Sequence, residues 1–153
     1  MSEVIFSAFV LALLALGRQS FIDIIRNEVD SRWSWVVFGF CLALGLRAGL
    51  FFEVLIVGVL FFFVFGLFNK TELYFGDGDR EIITFVLMAC LLINGWLSIV
   101  LFGLGLLVCW YVVIPFVKKW FVGELPLVPF IMASFLFSQY WFIDFVSKLT
   151  WLF

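Results

Sequence analysis

The sequence predicts an all-α integral membrane protein with six transmembrane helices and both termini outside. Of its 153 residues, 66% are apolar and only 13% are charged, and the mean hydropathy is +1.25. An ordinary soluble domain is about 45–50% apolar and about 25% charged, so this chain has too little polar surface to coat a water-soluble globule. Each crossing takes about 20 apolar residues. We therefore expect a single membrane-embedded domain over residues 1–153, with nothing left for a separate soluble domain.

The first three spans follow from apolar runs in the N-terminal half. The first is predicted over residues 4–22, with Arg18 close enough to its end for the guanidinium to reach the interface. A short second span covers residues 33–46, and a third covers residues 48–68. The third carries one acid near its start, Glu53, which fits either the outer interface or an intramembrane role. The sequence leaves that choice open.

The last three spans follow from one long apolar stretch and a proline-marked start. Residues 82–117 are too many for one crossing but enough for two, so a turn at Asn94-Gly95 is predicted between the fourth and fifth spans. Pro126 and Pro129 open the sixth span, because proline is tolerated in the first turn of a helix. This span is expected to run to about residue 146.

The basic residues predict the orientation of the spans. With six spans, the first, third and fifth loops lie on one side, and the second and fourth loops lie on the other with both termini. The first side holds seven basic residues: Arg18, Arg26, Arg32, Lys70, Arg80, Lys118 and Lys119. The other side holds Arg47 and Lys148. Since basic residues are enriched in cytoplasmic loops, the first side is expected to face the cytoplasm.

The absence of histidine narrows the chemistry available to the chain. It excludes Ser–His hydrolases, His-ligated zinc and haem, and imidazole proton relays. The three cysteines, Cys41, Cys90 and Cys109, are far apart and lie inside apolar runs, which favours buried thiols over a metal site. We expect no metal and no cofactor, and an active site built from carboxylates.

Two aspartates are predicted at the same membrane depth. Asp23 directly follows the apolar end of the first span, and Asp79 lies just before the apolar start of the fourth. Two aspartates that share a site can hold one proton between them, so that one activates water while the other polarises a carbonyl. Gly76 and Gly78 fit a backbone that approaches another element closely or adopts positive φ.

These features resemble the type IV prepilin peptidases, particularly the short archaeal prepilin and preflagellin peptidases. That family consists of six-span aspartic proteases with a Gly-x-Gly-Asp motif, which stands here as Gly76-Asp77-Gly78-Asp79. Asp23 matches the family's first aspartate, at the end of the first helix. Residues 125–130, Leu-Pro-Leu-Val-Pro-Phe, are similar to the family's proline-containing start of the sixth helix.

The chain departs from the family pattern at two places. Asp30 stands where proline is usual, and Arg80-Glu81 follow the motif where bacterial members commonly have a hydrophobic residue and lysine. Because this chain has no lysine directly after the motif, it does not support a role for the lysine that bacterial members have there. The pair of aspartates is unaffected.

The resemblance implies that Asp23 and Asp79 are the catalytic pair of an aspartic endopeptidase. Its expected reaction is removal of a short basic leader, a class III signal peptide, from prepilin-like or preflagellin-like precursors. The reaction would take place at the cytoplasmic face of a prokaryotic plasma membrane. The paired-cysteine extension of larger members is absent, so no methyltransferase activity is expected. The expected partners are these precursors and membrane lipid, with no nucleic acid, and the oligomeric state is left open.

An acidic loop is the candidate contact for the leader. It contains Glu72, Asp77 and Glu81, whose charge is opposite to that of a basic leader. Opposite charges at an exposed loop favour binding and are weakened by salt.

Two other interpretations remain open. A presenilin-like intramembrane peptidase shares Gly-x-Gly-Asp, but this chain has neither the Tyr-Asp pair nor the Pro-Ala-Leu segment of that family. A non-enzymatic membrane subunit or small transporter could instead use Asp23 and Asp79 to bind a cation or to shuttle protons.

Overall fold

The computed structural model describes residues 2–26, 29–69, 77–119 and 125–150. Within these ranges the chain forms helices and no strand, which confirms the all-helical prediction. The helices are α1 (Ser2–Arg26), α2 (Ser31–Ala48), α3 (Phe51–Asn69), α4 (Asp77–Asn94), α5 (Trp96–Lys118) and α6 (Val128–Thr150).

Successive helices run in opposite directions, as contacts at the two ends of the bundle indicate. At one end, Gly78 at the start of α4 packs against Val29, and Asp23 near the end of α1 binds Val128 at the start of α6. We call this the aspartate end. At the other, Arg47 near the end of α2 forms an ion pair of 2.9 Å with Glu3 at the start of α1. We call this the turn end, because the short connections α2–α3 and α4–α5 lie there.

Helix α4 is the centre of the bundle. Residues 82–93 are all buried, and α4 packs against each of the other five helices. The surrounding helices turn large apolar side chains outward, among them Phe63 of α3 and Leu104 of α5. Large exposed apolar patches typically mark surfaces that contact lipid or another protein.

The two connections at the turn end are short, and each contains a glycine with a positive φ. Gly49 has a φ of 75°, and the Leu50 amide donates to the Gly45 carbonyl at 2.8 Å, which closes α2 in a Schellman motif. Gly95, with a φ of 70°, is the sole residue between α4 and α5, so the predicted division at Asn94-Gly95 is observed. The predicted start of the third helix at residue 48 is wrong, because the Schellman motif keeps Ala48 in α2.

Helix α5 contains a π turn at Cys109–Val113, where the Ile114 amide donates to the Cys109 carbonyl. The next residue, Pro115, has no amide hydrogen, and its ring would collide with the carbonyl one turn earlier in a regular α-helix. Widening the helix by one residue relieves that collision.

Among the residues that the structure describes, two helical segments are long and apolar enough to cross a membrane. They are Glu3–Arg26 and Trp96–Lys118. Phe51–Leu67 of α3 and Val128–Tyr140 of α6 are shorter apolar segments. The arrangement of six spans stays a prediction. Helix α4 is the least suited to contact lipid, because it begins with charged residues and most of the rest of it is buried in the protein core.

Candidate functional site

Asp23 lies inside α1, because the helix continues through Arg26 and not only to residue 22 as predicted. The side chain is 6% exposed, and its Oδ2 accepts a hydrogen bond of 2.9 Å from the Val128 amide. The Leu127 amide also donates to this carboxylate. A carboxylate from the first helix therefore caps the start of the last, where the partial positive charge of a helix N-terminus favours an anion.

Asp79 lies in the first turn of α4, not before the helix as predicted, and is 8% exposed. The preceding residue, Gly78, lies so close to Val29 that a Cβ at position 78 would overlap the Val29 Cβ and Cγ1. This close approach presses the start of α4 against the connection between α1 and α2. It therefore brings the segment that carries Asp79 to the end of the helix that carries Asp23.

The two aspartates thus have the same placement in the bundle. Both are buried at the aspartate end, on α1 and α4, which pack directly against each other. Carboxylates are rarely buried unless hydrogen bonds or a shared proton stabilise them. Two buried carboxyl groups at one end of a helical bundle are therefore a candidate acid–base site.

The remaining predicted site residues are only partly covered by the structure. Gly76 and Glu72 lie outside the described residues, and so does the side chain of Asp77, whose backbone begins α4. The predicted loop position of Glu81 is wrong, because this residue lies within α4. Its side chain is half-buried, with Oε2 shielded from solvent, and it makes contacts within the protein.

Arg80 anchors the start of α4 to α3. Its guanidinium lies over the Phe62 ring at 4.2 Å from the centroid, and Nη1 would be 3.0 Å from a Cβ at Gly66. A cation over an aromatic face is favourable, most of all where water is excluded. The basic residue after the motif therefore packs two helices together beside Asp79.

A clasp between α1 and the start of α2 has no counterpart in the sequence prediction. The Gln19 side chain donates to the Asp30 carbonyl at 2.8 Å and accepts from the Asp30 amide at 3.2 Å. Arg18 Nη2 donates to Asp30 Oδ2 at 3.0 Å, and this bond holds the pKa of the Asp30 carboxyl below its usual value. The clasp fixes the position where the resemblance expects proline. The sequence feature that could have indicated this clasp is Gln19, a polar residue next to an apolar run. In the structure the Gln19 side chain is 1% exposed.

A second polar group joins three helices toward the turn end, and we call it the Gln139 cluster. Gln139 of α6 accepts from Asn94 at 2.6 Å, and its amide nitrogen lies 2.9 Å from the Ser98 hydroxyl and 3.2 Å from that of Ser138. Cys90 also lies within 3.7 Å of that nitrogen. These polar groups form their hydrogen bonds within the protein, so the cluster holds the three helices together.

Metal-ligating side chains do not assemble in the part of the chain that the structure describes, where no group of three or more His, Cys, Asp or Glu residues could hold an ion. Comparison of the chain with protein-family models, with curated proteins and with solved structures finds no match. The candidate site accordingly stands on the burial of Asp23 and Asp79 at one end of a helical bundle.

Proposed function

We propose that this protein is a membrane aspartic endopeptidase of the prepilin-peptidase type, which removes a short basic leader from pilin-like or archaellin-like precursors. The observation that carries the proposal is the burial of Asp23 and Asp79 at the same end of the bundle. The Gly-x-Gly-Asp motif and the proline-containing start of α6, which resemble that family, support it from the sequence.

The proposed chemistry needs only the two carboxyl groups and water. One aspartate, as the carboxylate, takes a proton from the attacking water, while the other, as the acid, donates a hydrogen bond to the scissile carbonyl. The amides of Leu127 and Val128 hold Asp23 in place by donating hydrogen bonds to its carboxylate, and the Val128 amide donates to Oδ2. Asp79 is carried by the central helix, whose burial limits its movement.

Six spans with the aspartate end in the cytoplasm are part of the proposal. The shortest helices, α2 and α4, have 18 residues and a length of about 27 Å, close to the roughly 30 Å of a hydrocarbon core. Basic residues at the aspartate end include Arg26, Arg32 and Lys118, whereas Arg47 lies at the turn end. This asymmetry supports a cytoplasmic site.

A precursor would present its apolar helix to the lipid and its basic leader to the cytoplasmic loops. Within the proposal, Glu72, Asp77 and Glu81 supply the opposite charge for that leader. Cleavage then occurs at the boundary, where the peptide leaves the helix and its carbonyl becomes accessible.

The test uses variants that separate the structural role of Asp23 from its chemistry. Asp23→Asn keeps a side-chain oxygen for the Val128 amide but removes the carboxylate. Purified wild-type, Asp23→Asn and Asp79→Asn proteins are incubated with class III precursors, and the products are identified by mass spectrometry. Each variant is expected to lose cleavage by at least about 10²-fold, the usual contribution of a general acid or base.

Glu53→Gln is the matched control, because Glu53 is exposed in the first turn of α3 at the turn end. It should cleave like the wild type. Retained cleavage in a folded Asp23→Asn or Asp79→Asn protein rules out the catalytic pair. If the wild type cleaves no precursor, a non-enzymatic subunit or transporter becomes the better explanation.

A further inference from the structure

We propose that the headgroup of an anionic phospholipid binds in a groove at the aspartate end, beside the connection between α1 and α2. The groove has a volume of about 630 Å³. We call it the arginine groove, and its lining includes Arg18, Arg26, Arg32, Asp30, Phe21 and Ile25. The proposal goes beyond the peptidase, because it requires a membrane around the bundle but no catalytic activity.

The charge of the groove favours an anion. Its described lining contains three guanidinium groups and one carboxylate, Asp30, which Arg18 already binds at 3.0 Å. Arg26 and Arg32 are exposed, and neither forms an ion pair with another described residue. A phosphate suits this pair, because a guanidinium can donate two parallel hydrogen bonds to its oxygens. The same charge repels a basic leader, so the groove is distinct from the proposed leader contacts.

The apolar part of the groove favours a lipid over a free phosphate ion. Phe21 is 66% exposed and Ile25 is 62% exposed, and both line the same cavity as the arginines. A small inorganic anion leaves these side chains uncovered, whereas acyl chains beneath a headgroup cover them and add hydrophobic binding energy. Basic pockets between helices on the cytoplasmic side are the places where anionic headgroups bind membrane proteins.

Arg18 lines the groove and is held in place by contacts with Trp33 and Asp30. The Arg18 guanidinium lies 4.8 Å from the centroid of the Trp33 ring while it also holds Asp30. Arg18 is therefore committed to the protein, and the headgroup contacts fall to Arg26 and Arg32.

The test measures lipid binding by two double variants that lose the same charge at the same end of the bundle. Arg26→Gln/Arg32→Gln changes the groove, and Lys118→Gln/Lys119→Gln changes the exposed end of α5, outside the groove. Each protein is held in phosphatidylcholine-containing micelles and titrated with phosphatidylglycerol, and bound lipids are counted by native mass spectrometry. The arginine variant should bind phosphatidylglycerol at least about tenfold more weakly, and the lysine variant should bind it as the wild type does.

Competition separates the sources of phosphate. Inorganic phosphate should not displace phosphatidylglycerol, and phosphatidylcholine should not compete for the most tightly bound lipid. Displacement by inorganic phosphate overturns the lipid in favour of a free-anion site. Equal weakening in the arginine and lysine variants overturns the groove altogether, because it reduces the effect to the overall charge at that end.

Discussion

At the residue scale, the carboxylates at the aspartate end have different partners and therefore different expected roles. Asp23 accepts hydrogen bonds from backbone amides at the start of α6. Asp30, at the start of α2, accepts a hydrogen bond from the Arg18 guanidinium. A cap stabilises a helix by about 0.5–2 kcal/mol. Removing Asp23 by alanine therefore confounds folding with chemistry, and asparagine is the informative substitution.

Asp30→Asn should make stability less dependent on pH. Because Arg18 lowers the pKa of Asp30 in the folded protein, the carboxylate stabilises the fold above the unfolded-state pKa, near 3.9, and this contribution is lost as the pH falls through the lower folded value. The Gln19 contacts use the backbone of Asp30 and remain in the variant. Thermal unfolding in detergent should show the wild type as more stable at neutral pH, with the difference vanishing well below about pH 4.

Salt provides the control for this prediction. The Arg18 and Asp30 side chains are 40% and 33% exposed, so the difference at neutral pH should shrink in high salt. A difference that persists unchanged at pH 2 would assign the effect to packing and not to the charge.

Single residues show where sequence reasoning stops. The acidic character of the site, with Asp23 and Asp79 as its members, was proposed from position along the chain. The amide partner of Asp23, in contrast, lies 105 residues away, and only the packing of α1 against α6 brings them together. The same holds for the clasp at Asp30, since Gln19 carries no motif that names its partner.

At the element scale, the close contact between α4 and the connection after α1 leaves no room for a side chain at position 78. Gly78→Ala places a methyl group on the Val29 Cβ, an atom that cannot move away without the backbone. Overpacking of this kind costs about 1–3 kcal/mol. We expect a lower midpoint of thermal unfolding and, if the peptidase is correct, lower cleavage activity.

Gly39→Ala is the matched control, because it lies within α2 and a Cβ there meets nothing within 4 Å. Alanine in a helix is favoured over glycine by about 0.5–1 kcal/mol, so this variant should be unchanged or more stable. A stable Gly78→Ala protein would contradict the close approach.

The Gln139 cluster should contribute to the cohesion of α4, α5 and α6. Gln139→Leu removes the acceptor of Asn94 and the partner of Ser98, at a site that is 5% exposed. A lost buried hydrogen bond costs about 1–3 kcal/mol in water-soluble proteins and about 0.6 kcal/mol on average between membrane helices. We therefore expect a loss of about 1–2 kcal/mol in unfolding free energy. Tyr140→Leu, at the exposed neighbouring position, should change it little.

The elements themselves were largely predictable because their signals are local. The glycine after Asn94 and the prolines at the start of α6 mark helix boundaries from the local sequence alone. The ends of α1 were misjudged, since the apolar run stops at residue 22 whereas α1 extends through Arg26. The last turn, which hydropathy alone does not mark, contains Asp23, whose contacts with the start of α6 hold it in place.

At the scale of the whole molecule, the proposed orientation can be tested at the two ends of one helix. Ser31 and Ala48 are exposed residues at the start and the end of α2. A membrane-impermeant maleimide should label Ala48→Cys in intact cells and Ser31→Cys only after the cells are opened, because basic residues favour the cytoplasm.

The native cysteines set the background for this experiment. Cys41 and Cys90 are buried and Cys109 is half-buried, so labelling of the unsubstituted chain is measured alongside. The opposite labelling pattern would place the aspartate end outside the cell and remove the cytoplasmic peptidase from consideration.

If the proposed peptidase is correct, the two glycine connections also restrict how the molecule can admit a precursor. Helices joined by a single residue, as α4 and α5 are by Gly95, cannot part at that end without breaking the join. A separation of α4 from α5, or of α2 from α3, must therefore be wedge-shaped, with its narrow end at Gly95 or Gly49 and its wide end toward the aspartate end. The apolar helix of a precursor would then enter laterally from the lipid at the aspartate end. Only a short length of that helix would have to pass between the helices of the protein.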